Sequence, residues 1–219
     1  ADLPVGTGRP RAGRRVLTVG TDCSVGKMYA SLALVEGLRA RGETADFRAT
    51  GQTGILIAGG GVPLDAVVAD FISGAIEYLT PARTDDGWDV VEGQGSLFHP
   101  SFAGVSTGLL HGAQAEALVL CHDPAREGIR GLPERPMPGL AECLAANLQV
   151  ARLTSPGVRA AGVCLNTSSF AEDEARRLCG EAGHLLGLPC TDPHRFGVEA
   201  IIDNLLCHAP SKPAPIASR

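Results

Sequence analysis

The 219-residue sequence predicts an α/β protein with a mainly parallel sheet and helices on both faces of that sheet. Short apolar runs with strand composition alternate with longer stretches whose apolar residues recur at helical spacing. Glycine-rich turns follow several of the apolar runs, as expected where strands lead into crossover helices. Because parallel sheets bind ligands beyond the carboxyl ends of their strands, we expect the functional residues directly after the predicted strands.

The first predicted strand is the apolar run 16–20, VLTVG. A helix follows over 26–41, because its apolar residues recur at helical spacing until Gly42 ends the pattern. Residues 44–50 predict a second strand, which leads into the glycine-rich loop 51–54, GQTG.

Pro63 opens the next predicted helix, whose apolar face runs from Val67 to Leu79. A third strand, 88–92, ends in a second glycine-rich turn. The later predicted strands are 116–121 and 159–166, and the later predicted helices are 139–151, 171–186 and 196–206. Helices therefore separate most of the predicted strands, which favours parallel pairing.

The composition excludes several classes of protein. Apolar residues make up 44% and charged residues 20%, which is typical of a globular protein and not of a disordered chain. A net charge of −5 without a basic cluster argues against binding to nucleic acid or to a membrane surface. The seven cysteines form no C-x-x-C pair and no secretion signal is visible, so we expect reduced thiols in a cytoplasmic protein.

Residues 16–207 are predicted to form one domain. The preceding segment 1–15 is polar, rich in arginine and linker-like, and residues 208–219 form a Pro- and Ser-rich tail that we expect to be loose. The chain begins with Ala1, so either an initiator Met was removed or the sequence is a piece of a longer product. The linker-like start makes the second alternative a serious one.

A glycine-rich loop that ends in Gly-Lys joins the first strand to the first helix. Its residues are Gly20, Thr21, Asp22, Cys23, Ser24, Val25, Gly26, Lys27 and Met28. The backbone N–H groups of such a loop wrap phosphate oxygens, the helix N-terminus adds positive potential, and the lysine neutralises charge. We therefore predict that these residues bind the phosphates of a cofactor.

Two features of this loop differ from the common phosphate-binding loop. Five residues rather than four separate its glycines, and Met28 stands where a hydroxyl usually binds Mg²⁺. A thioether is a poor ligand for a hard cation. Phosphate binding should survive this change, whereas metal-assisted phosphoryl transfer would need Thr21, Ser24 or Asp22 as the substitute ligand.

Three residues are predicted to be catalytic. Glu92 ends the third strand beside the expected phosphate loop, where it suits a general base toward an amine or a metal ligand; the alternative is a carboxylate that caps the next turn. His99 and His111 are predicted proton carriers, because imidazole exchanges protons near neutral pH. A zinc site is disfavoured, since no H-x-x-x-H or C-x-x-C spacing is present.

Polar residues near the strand ends are candidates for substrate binding. They are Gln52, Thr53, Gln94, Ser96 and Arg130. The first four follow predicted strands, and Arg130 lies in the long loop 121–139, where an arginine can hold a dicarboxylate. The alternative for each is ordinary turn or surface chemistry.

The motifs at the strand ends resemble those of dethiobiotin synthetase. The loop GTDCSVGKM is similar to that enzyme's GTDTxVGKT and has the same long spacing, and EGQG at 92–95 is similar to its EGAGG. Asn166, which ends a later strand, resembles its base-recognition Asn. The resemblance implies a P-loop NTPase-like fold of the dethiobiotin synthetase type and adds Asn166 to the cofactor-binding residues.

Longer runs resemble a second family over nearly the whole chain. They include RVLTVGTDCSVGKM, GVPLDAVVADFISGAIEYL, VVEGQGSLFHPSFAGVS and GLPCTDPHRFGV. Similar runs occur in the P-loop domain of the bacterial DgcN family, whose best-understood members are D-glutamate N-acetyltransferases. The resemblance implies transfer of an acetyl group from acetyl-CoA to the amine of an acidic amino acid, D-glutamate, with the loop on the coenzyme A phosphates. It also implies an N-terminal Rossmann-like domain outside this sequence, and a homodimer is the expected assembly.

Two other functions stay open at this point. An ATP-dependent ligase or kinase of the dethiobiotin synthetase type would need Mg²⁺ held by Asp22, Glu92 or Thr21. A non-catalytic nucleotide-binding domain would serve the N-terminal domain that the resemblance implies. Metal dependence of ligand binding distinguishes the first of these from an acetyltransferase.

Overall fold

The computed structural model describes residues 3–207, so the predicted tail 208–219 lies outside the described residues. The strands are β1 (Arg14–Gly20), β2 (Ala45–Arg48), β3 (Trp88–Val91), β4 (Ala117–His122), β5 (Gly128–Ile129), β6 (Leu132–Pro136), β7 (Arg159–Leu165) and β8 (Cys190–Thr191). The helices are α1 (Lys27–Ala40), α2 (Gln52–Ala58), α3 (Ile72–Leu79), α4 (Ala103–Ala113), α5 (Leu140–Ala151), α6 (Glu172–Leu186), α7 (Pro193–Phe196) and α8 (Glu199–Cys207).

The main sheet has six strands in the order β2-β3-β1-β4-β7-β8. Every pairing between them is parallel, which confirms the predicted α/β class. β1 lies near the centre and is buried from Arg15 to Gly20. Because the chain places β3 on one side of β1 and β4 on the other, a crevice opens beyond the carboxyl end of β1.

Helices cover both faces of the sheet, as predicted. Val16 of β1 belongs to the core under α1 and α8, whereas Leu17 and Val19 belong to the core under α3, α4, α5 and α6. This alternation follows from the two-residue period of a strand. None of the described helices has the length and apolar character that crossing a membrane requires.

Two predictions for residues 51–79 are wrong. The GQTG segment is not a loop but the first turn of α2. Pro63 opens a short 3₁₀ turn, and α3 begins only at Ile72. A second 3₁₀ turn follows at Ala69–Phe71. Val67 and Val68 separate the two turns, and both have the extended backbone angles that β-branched residues favour.

Residues 103–113 form α4, although the sequence analysis assigns no helix there. The glycines of this segment lower its helix propensity but let α3 approach closely. A Cβ at Gly108 would lie 2.6 Å from Ile72 Cγ2, and one at Gly112 would lie 2.4 Å from Ser73 O. Packing against α3 therefore outweighs local propensity.

Other elements also differ from the prediction. The antiparallel hairpin β5–β6 and the edge strand β8 are absent from it, because both are short and lack an apolar run. The predicted helix 196–206 is two helices, α7 and α8, separated at Gly197 with φ 75°.

Residues 3–13 precede β1 without a helix or strand, but they are held against α3 and α4. The Glu77 carboxylate accepts a hydrogen bond from Thr7 N at 2.9 Å, and Arg11 Nη2 donates to Gly112 O at 2.7 Å. The segment is therefore packed on the domain, while its linker-like role stays a prediction.

Substitution of Gly74 tests this packing. A Cβ at Gly74 would lie 1.8 Å from Pro4 O, so we expect Gly74→Ala to cost about 1–3 kcal/mol of unfolding free energy. Gly104→Ala is the matched control, because its Cβ meets nothing within 4 Å and should stabilise α4 by up to ~1 kcal/mol. Urea unfolding of both variants measures the difference; equal effects would contradict the packing of residues 3–13.

Candidate functional site

A cleft of about 1100 Å³ opens at the carboxyl ends of the main-sheet strands. The loop after β1 lines its centre, the ends of β3 and α2 line one side, and residues after β7 and β8 line the other. The predicted site residues that line it are Cys23, Ser24, Val25, Gly26, Lys27, Met28, Gln52, Thr53, Glu92, Gln94, Arg130 and Asn166. The volume is at the upper end of the range for small-molecule sites.

The loop between β1 and α1 presents backbone N–H groups that can bind an anion. Ser24 (φ 54°) and Gly26 (φ 97°) adopt left-handed conformations, which bring successive N–H groups into one concave surface. Among residues 3–207, no protein group accepts a hydrogen bond from the N–H of Ser24, Val25 or Gly26. These groups lie at the N-terminus of α1, where the helix dipole favours negative charge.

Lys27 lies behind this loop and is only 7% exposed. Its Nζ donates to Asp22 O at 2.7 Å, and burial lowers the pKa of the ammonium below its ordinary 10.5. Gly93 makes room for the side chain, since a Cβ there would lie 1.8 Å from Thr18 O and 2.9 Å from Lys27 Cδ. An anion in the cleft would stabilise the charged form of this desolvated ammonium, which has few acceptors in the protein.

The residues around the loop do not fit Mg²⁺ binding. Met28 lines the cleft with a thioether at the usual hydroxyl position. Most of the predicted substitute ligands already bond protein groups, since Asp22 Oδ2 accepts from Arg130 N at 2.7 Å and Glu92 Oε2 accepts from Thr50 N at 2.9 Å. Thr21 Oγ1 lies 2.9 Å from His122 Nδ1 and Ser24 Oγ contacts Arg130, whereas Asp22 Oδ1 is buried without a partner in the described part of the chain. Within residues 3–207, no cluster of three or more acidic, His or Cys side chains is arranged to hold a metal ion.

Glu92 is 4% exposed and lies below the start of α2. Its Oε2 accepts from the N–H groups of Thr50 and Gly51 at 2.9 and 3.0 Å, and Gly54 leaves space for the carboxylate. Burial raises the pKa of Glu92 above its ordinary value, against smaller lowering effects of those N–H groups and of Lys27. The carboxylate is therefore a fixed group at the cleft wall with increased basicity.

The predicted substrate-binding residues Gln52, Thr53 and Gln94 line the cleft on the same side as Glu92. Gln94 Nε2 donates to Thr50 Oγ1 at 3.2 Å, which fixes the amide beside the carboxylate. Ser96 lies apart from them, because it supports the loop from behind and its Oγ donates to Thr21 O at 2.9 Å. Gly20, Thr21 and Asp22 likewise lie behind the cleft surface.

The structure places neither predicted catalytic histidine in the cleft. His99 is 5% exposed; its Nδ1 accepts from Ser101 N at 3.2 Å, so Nε2 carries the hydrogen and donates to Arg130 O at 3.1 Å. His111 lies in the last turn of α4, near the amino-terminal ends of the strands, and its carbonyl accepts from Thr154 Oγ1. α4 runs back across the sheet, which carries its end away from the cleft.

Arg126 and Arg130 approach the loop from the segment that contains the β5–β6 hairpin. Arg126 donates to two loop carbonyls, from Nη1 to Cys23 O at 2.7 Å and from Nη2 to Ser24 O at 2.8 Å. The Arg130 guanidinium contacts Ser24 Oγ and lines the cleft. The part that Arg126 plays in the loop could not be predicted from the sequence, because these contacts join residues distant in the chain.

The opposite side of the cleft contains Asn166 and two residues that were not predicted to belong to the site. Asn166 Nδ2 lies 3.4 Å from Asp123 Oδ2, and its role toward a cofactor stays a prediction. Asp192 is the N-cap of α7 and accepts from His194 N at 2.9 Å, and both residues line the cleft. The Asp-Pro pair at 192–193 is a helix-start signal that identifies this turn in the sequence.

Comparison with known sequences matches residues 4–202 to a domain of unknown function, the DUF1611_C P-loop domain. The chain is 50% identical over 202 residues to a D-glutamate N-acetyltransferase of Tritonibacter scottomollicae, covering 92% of this chain and 61% of that protein. It is 50% identical over 200 residues to a D-glutamate N-acetyltransferase of a Pseudoalteromonas species, covering 91% of this chain and 60% of that one. It thus spans about three fifths of the length of these relatives.

Solved structures agree with the fold. A DUF1611 family protein from Anabaena variabilis superposes with a TM-score of 0.88 at 38% identity, over 94% of this chain and 62% of that one. Cobyrinic acid a,c-diamide synthase from Mycobacterium smegmatis, solved with ADP and magnesium, superposes with a TM-score of 0.53 at 15% identity, over 90% of this chain and 95% of that one. The second likeness concerns the fold alone.

The raised pKa of Glu92 gives a pH-dependent effect on stability. A carboxyl group whose pKa is higher in the folded state stabilises the fold while protonated, and that contribution is lost as pH rises through its folded pKa. Glu92→Gln cannot ionise, so the unfolding free energy of the wild type should fall relative to that variant as pH rises above 4.5. Urea unfolding from about pH 4 to pH 8, with exposed Glu134→Gln as control, measures this. Parallel profiles for the wild type and Glu92→Gln would contradict the shift.

Proposed function

This chain belongs to the DUF1611_C P-loop domain family, and from that premise we propose that it transfers an acetyl group from acetyl-CoA to the amine of D-glutamate. The observation that carries the proposal is the 50% identity to two D-glutamate N-acetyltransferases over 202 and 200 residues. The chemistry of the cleft supports the same reaction. The proposal also includes a cytoplasmic location and a homodimer. It further includes a contribution to the site from the part of the relatives that this chain does not span.

The loop after β1 would bind the phosphates of coenzyme A. Its unpartnered N–H groups at Ser24, Val25 and Gly26, together with Lys27, suit phosphate oxygens. The polar residues around Asn166 and Asp192 lie on one side of the loop, in a position suited to the nucleoside part of the ligand. Coenzyme A needs no metal at its phosphates, which agrees with a thioether at Met28.

Glu92 would act as the general base. It takes a proton from the substrate ammonium, and the free amine then attacks the thioester carbonyl, so that a C–N bond forms and the C–S bond breaks. The coenzyme A thiolate leaves and takes up the second proton that the amine nitrogen loses as it becomes an amide, which gives the thiol. The Gln94 amide and nearby backbone N–H groups suit the negative charge that develops on the carbonyl oxygen.

The acceptor would lie on the Glu92 side of the cleft, beside Gln52, Thr53 and Gln94. Amide and hydroxyl groups there can hold the α-carboxylate and the ammonium of an amino acid. Arg130 is the cleft-lining arginine nearest to the loop and is suited to a carboxylate or a phosphate. The part of the relatives outside this chain would supply further contacts to the acceptor.

Calorimetric titration tests the donor site. We expect acetyl-CoA to bind without a metal, and Lys27→Ala to weaken binding by about 1–3 kcal/mol through loss of a charged contact. Arg152→Ala, which removes an exposed arginine outside the cleft, is the control and should bind normally. ATP binding that requires Mg²⁺ and disappears in EDTA, without acetyl-CoA binding, would instead support the ligase or kinase alternative.

Replacement of Glu92 tests the base. Glu92→Gln should keep acetyl-CoA affinity but lower acetylation of D-glutamate, followed as thiol release, by about 10²-fold or more. Glu134→Gln makes the same change at an exposed carboxylate outside the cleft, so it serves as the matched control. Equal turnover by the wild type and Glu92→Gln would remove Glu92 from the mechanism.

A further inference from the structure

The phosphate loop keeps the carbonyl oxygens of residues 21–24 bonded to the protein while the N–H groups of Ser24, Val25 and Gly26 stay free for a ligand. Thr21 O accepts from Ser96 Oγ, and Asp22 O accepts from Lys27 Nζ. The next two carbonyls along the loop are both held by the guanidinium of Arg126. Within residues 3–207, the consecutive carbonyls from 21 to 24 therefore each have a donor.

Arg126 is suited to this task by its shape. Two nitrogen atoms of one rigid plane reach Cys23 O and Ser24 O at 2.7 and 2.8 Å. A lysine has a single ammonium and cannot reproduce the paired geometry. Ser24 is also the non-glycine residue at φ 54°, so Arg126 bonds the carbonyl of the strained position itself.

Arg126 is in turn held by a buried carboxylate. Asp22 Oδ2 accepts from Arg126 Nη1 at 3.1 Å and from Arg130 N at 2.7 Å, with the Asp22 side chain fully buried. The carbonyl oxygen of Arg130 accepts a hydrogen bond from His99 Nε2 at 3.1 Å. The Arg130 N–H thus ties the β5–β6 hairpin to the loop, and the Arg130 carbonyl ties it to the segment after β3 through His99.

We propose that Arg126 is a positioning residue that holds the phosphate loop in its anion-binding shape. The inference rests on the phosphate-binding role given to the loop under the proposed function. Arg126 does not line the cleft, and its Nη atoms bond protein oxygens, so it acts through the loop rather than on the ligand. Arg130, whose guanidinium lines the cleft, is the arginine available to the ligand.

Backbone order parameters test the proposal in the ligand-free protein. In the wild type we expect values near 0.85 for residues 23–26, and in Arg126→Ala and Arg126→Lys values near or below about 0.6. Arg135→Ala, an exposed arginine of β6, is the control and should leave the loop rigid. Circular dichroism shows whether each variant is folded. If Arg126→Ala does not fold, the order parameters of Arg126→Lys decide the test. A loop as rigid in Arg126→Lys as in the wild type would overturn the proposal.

Titration with inorganic pyrophosphate gives the second readout. We expect both Arg126 variants to bind it at least about tenfold more weakly than the wild type and the Arg135→Ala control. Wild-type affinity in Arg126→Lys would mean that Arg126 acts by charge alone, which would overturn a positioning role. Failure of the proposed function gives a different result. In that case the wild type would have an ordered loop and would bind pyrophosphate but not acetyl-CoA.

Discussion

Backbone N–H groups bind an anion only where the neighbouring carbonyl oxygens are directed elsewhere, and that constraint governs the centre of this molecule. The backbone of the loop after β1 cannot satisfy its own carbonyls while its N–H groups face the cleft, so side chains must supply the donors. Ser96, Lys27 and Arg126 supply the donors instead, and they come from three different parts of the chain. The loop therefore requires three elements in fixed positions around it: the β5–β6 hairpin, α1 and the segment after β3.

The same constraint links the loop to the Glu92 side of the cleft. Gly93 follows Glu92 directly, and its N–H donates to Thr18 Oγ1 at 2.9 Å while its missing side chain leaves space for Lys27. Thr18 lies in β1, two residues before the loop begins. A change in the position of the loop would therefore shift the Glu92 carboxylate through a few rigid contacts. For this reason we expect the loop and the Glu92 side of the cleft to work as one site.

The sequence predicted the features that local chemistry determines. The parallel sheet and the Gly-Lys loop follow from short patterns, and Glu92 lies at the cleft because it ends a central strand. The features that depend on distant contacts were not predictable. α4 forms through packing against α3 in spite of its glycines, and His99 bonds a hairpin thirty-one positions away instead of a substrate. Residue type suggested a proton carrier, but the partner of that imidazole is set by the fold.

Burial shifts the pKa values of two ionisable groups that line the cleft, Glu92 and Lys27. It raises the pKa of Glu92 and lowers the pKa of Lys27, and the Lys27 ammonium partly offsets the effect of burial on Glu92. A phosphate-bearing ligand adds negative charge close to Lys27 and weakens the influence of the ammonium on Glu92. In the proposed reaction, occupation of the donor site therefore makes Glu92 a stronger base at the moment when an amine must be deprotonated.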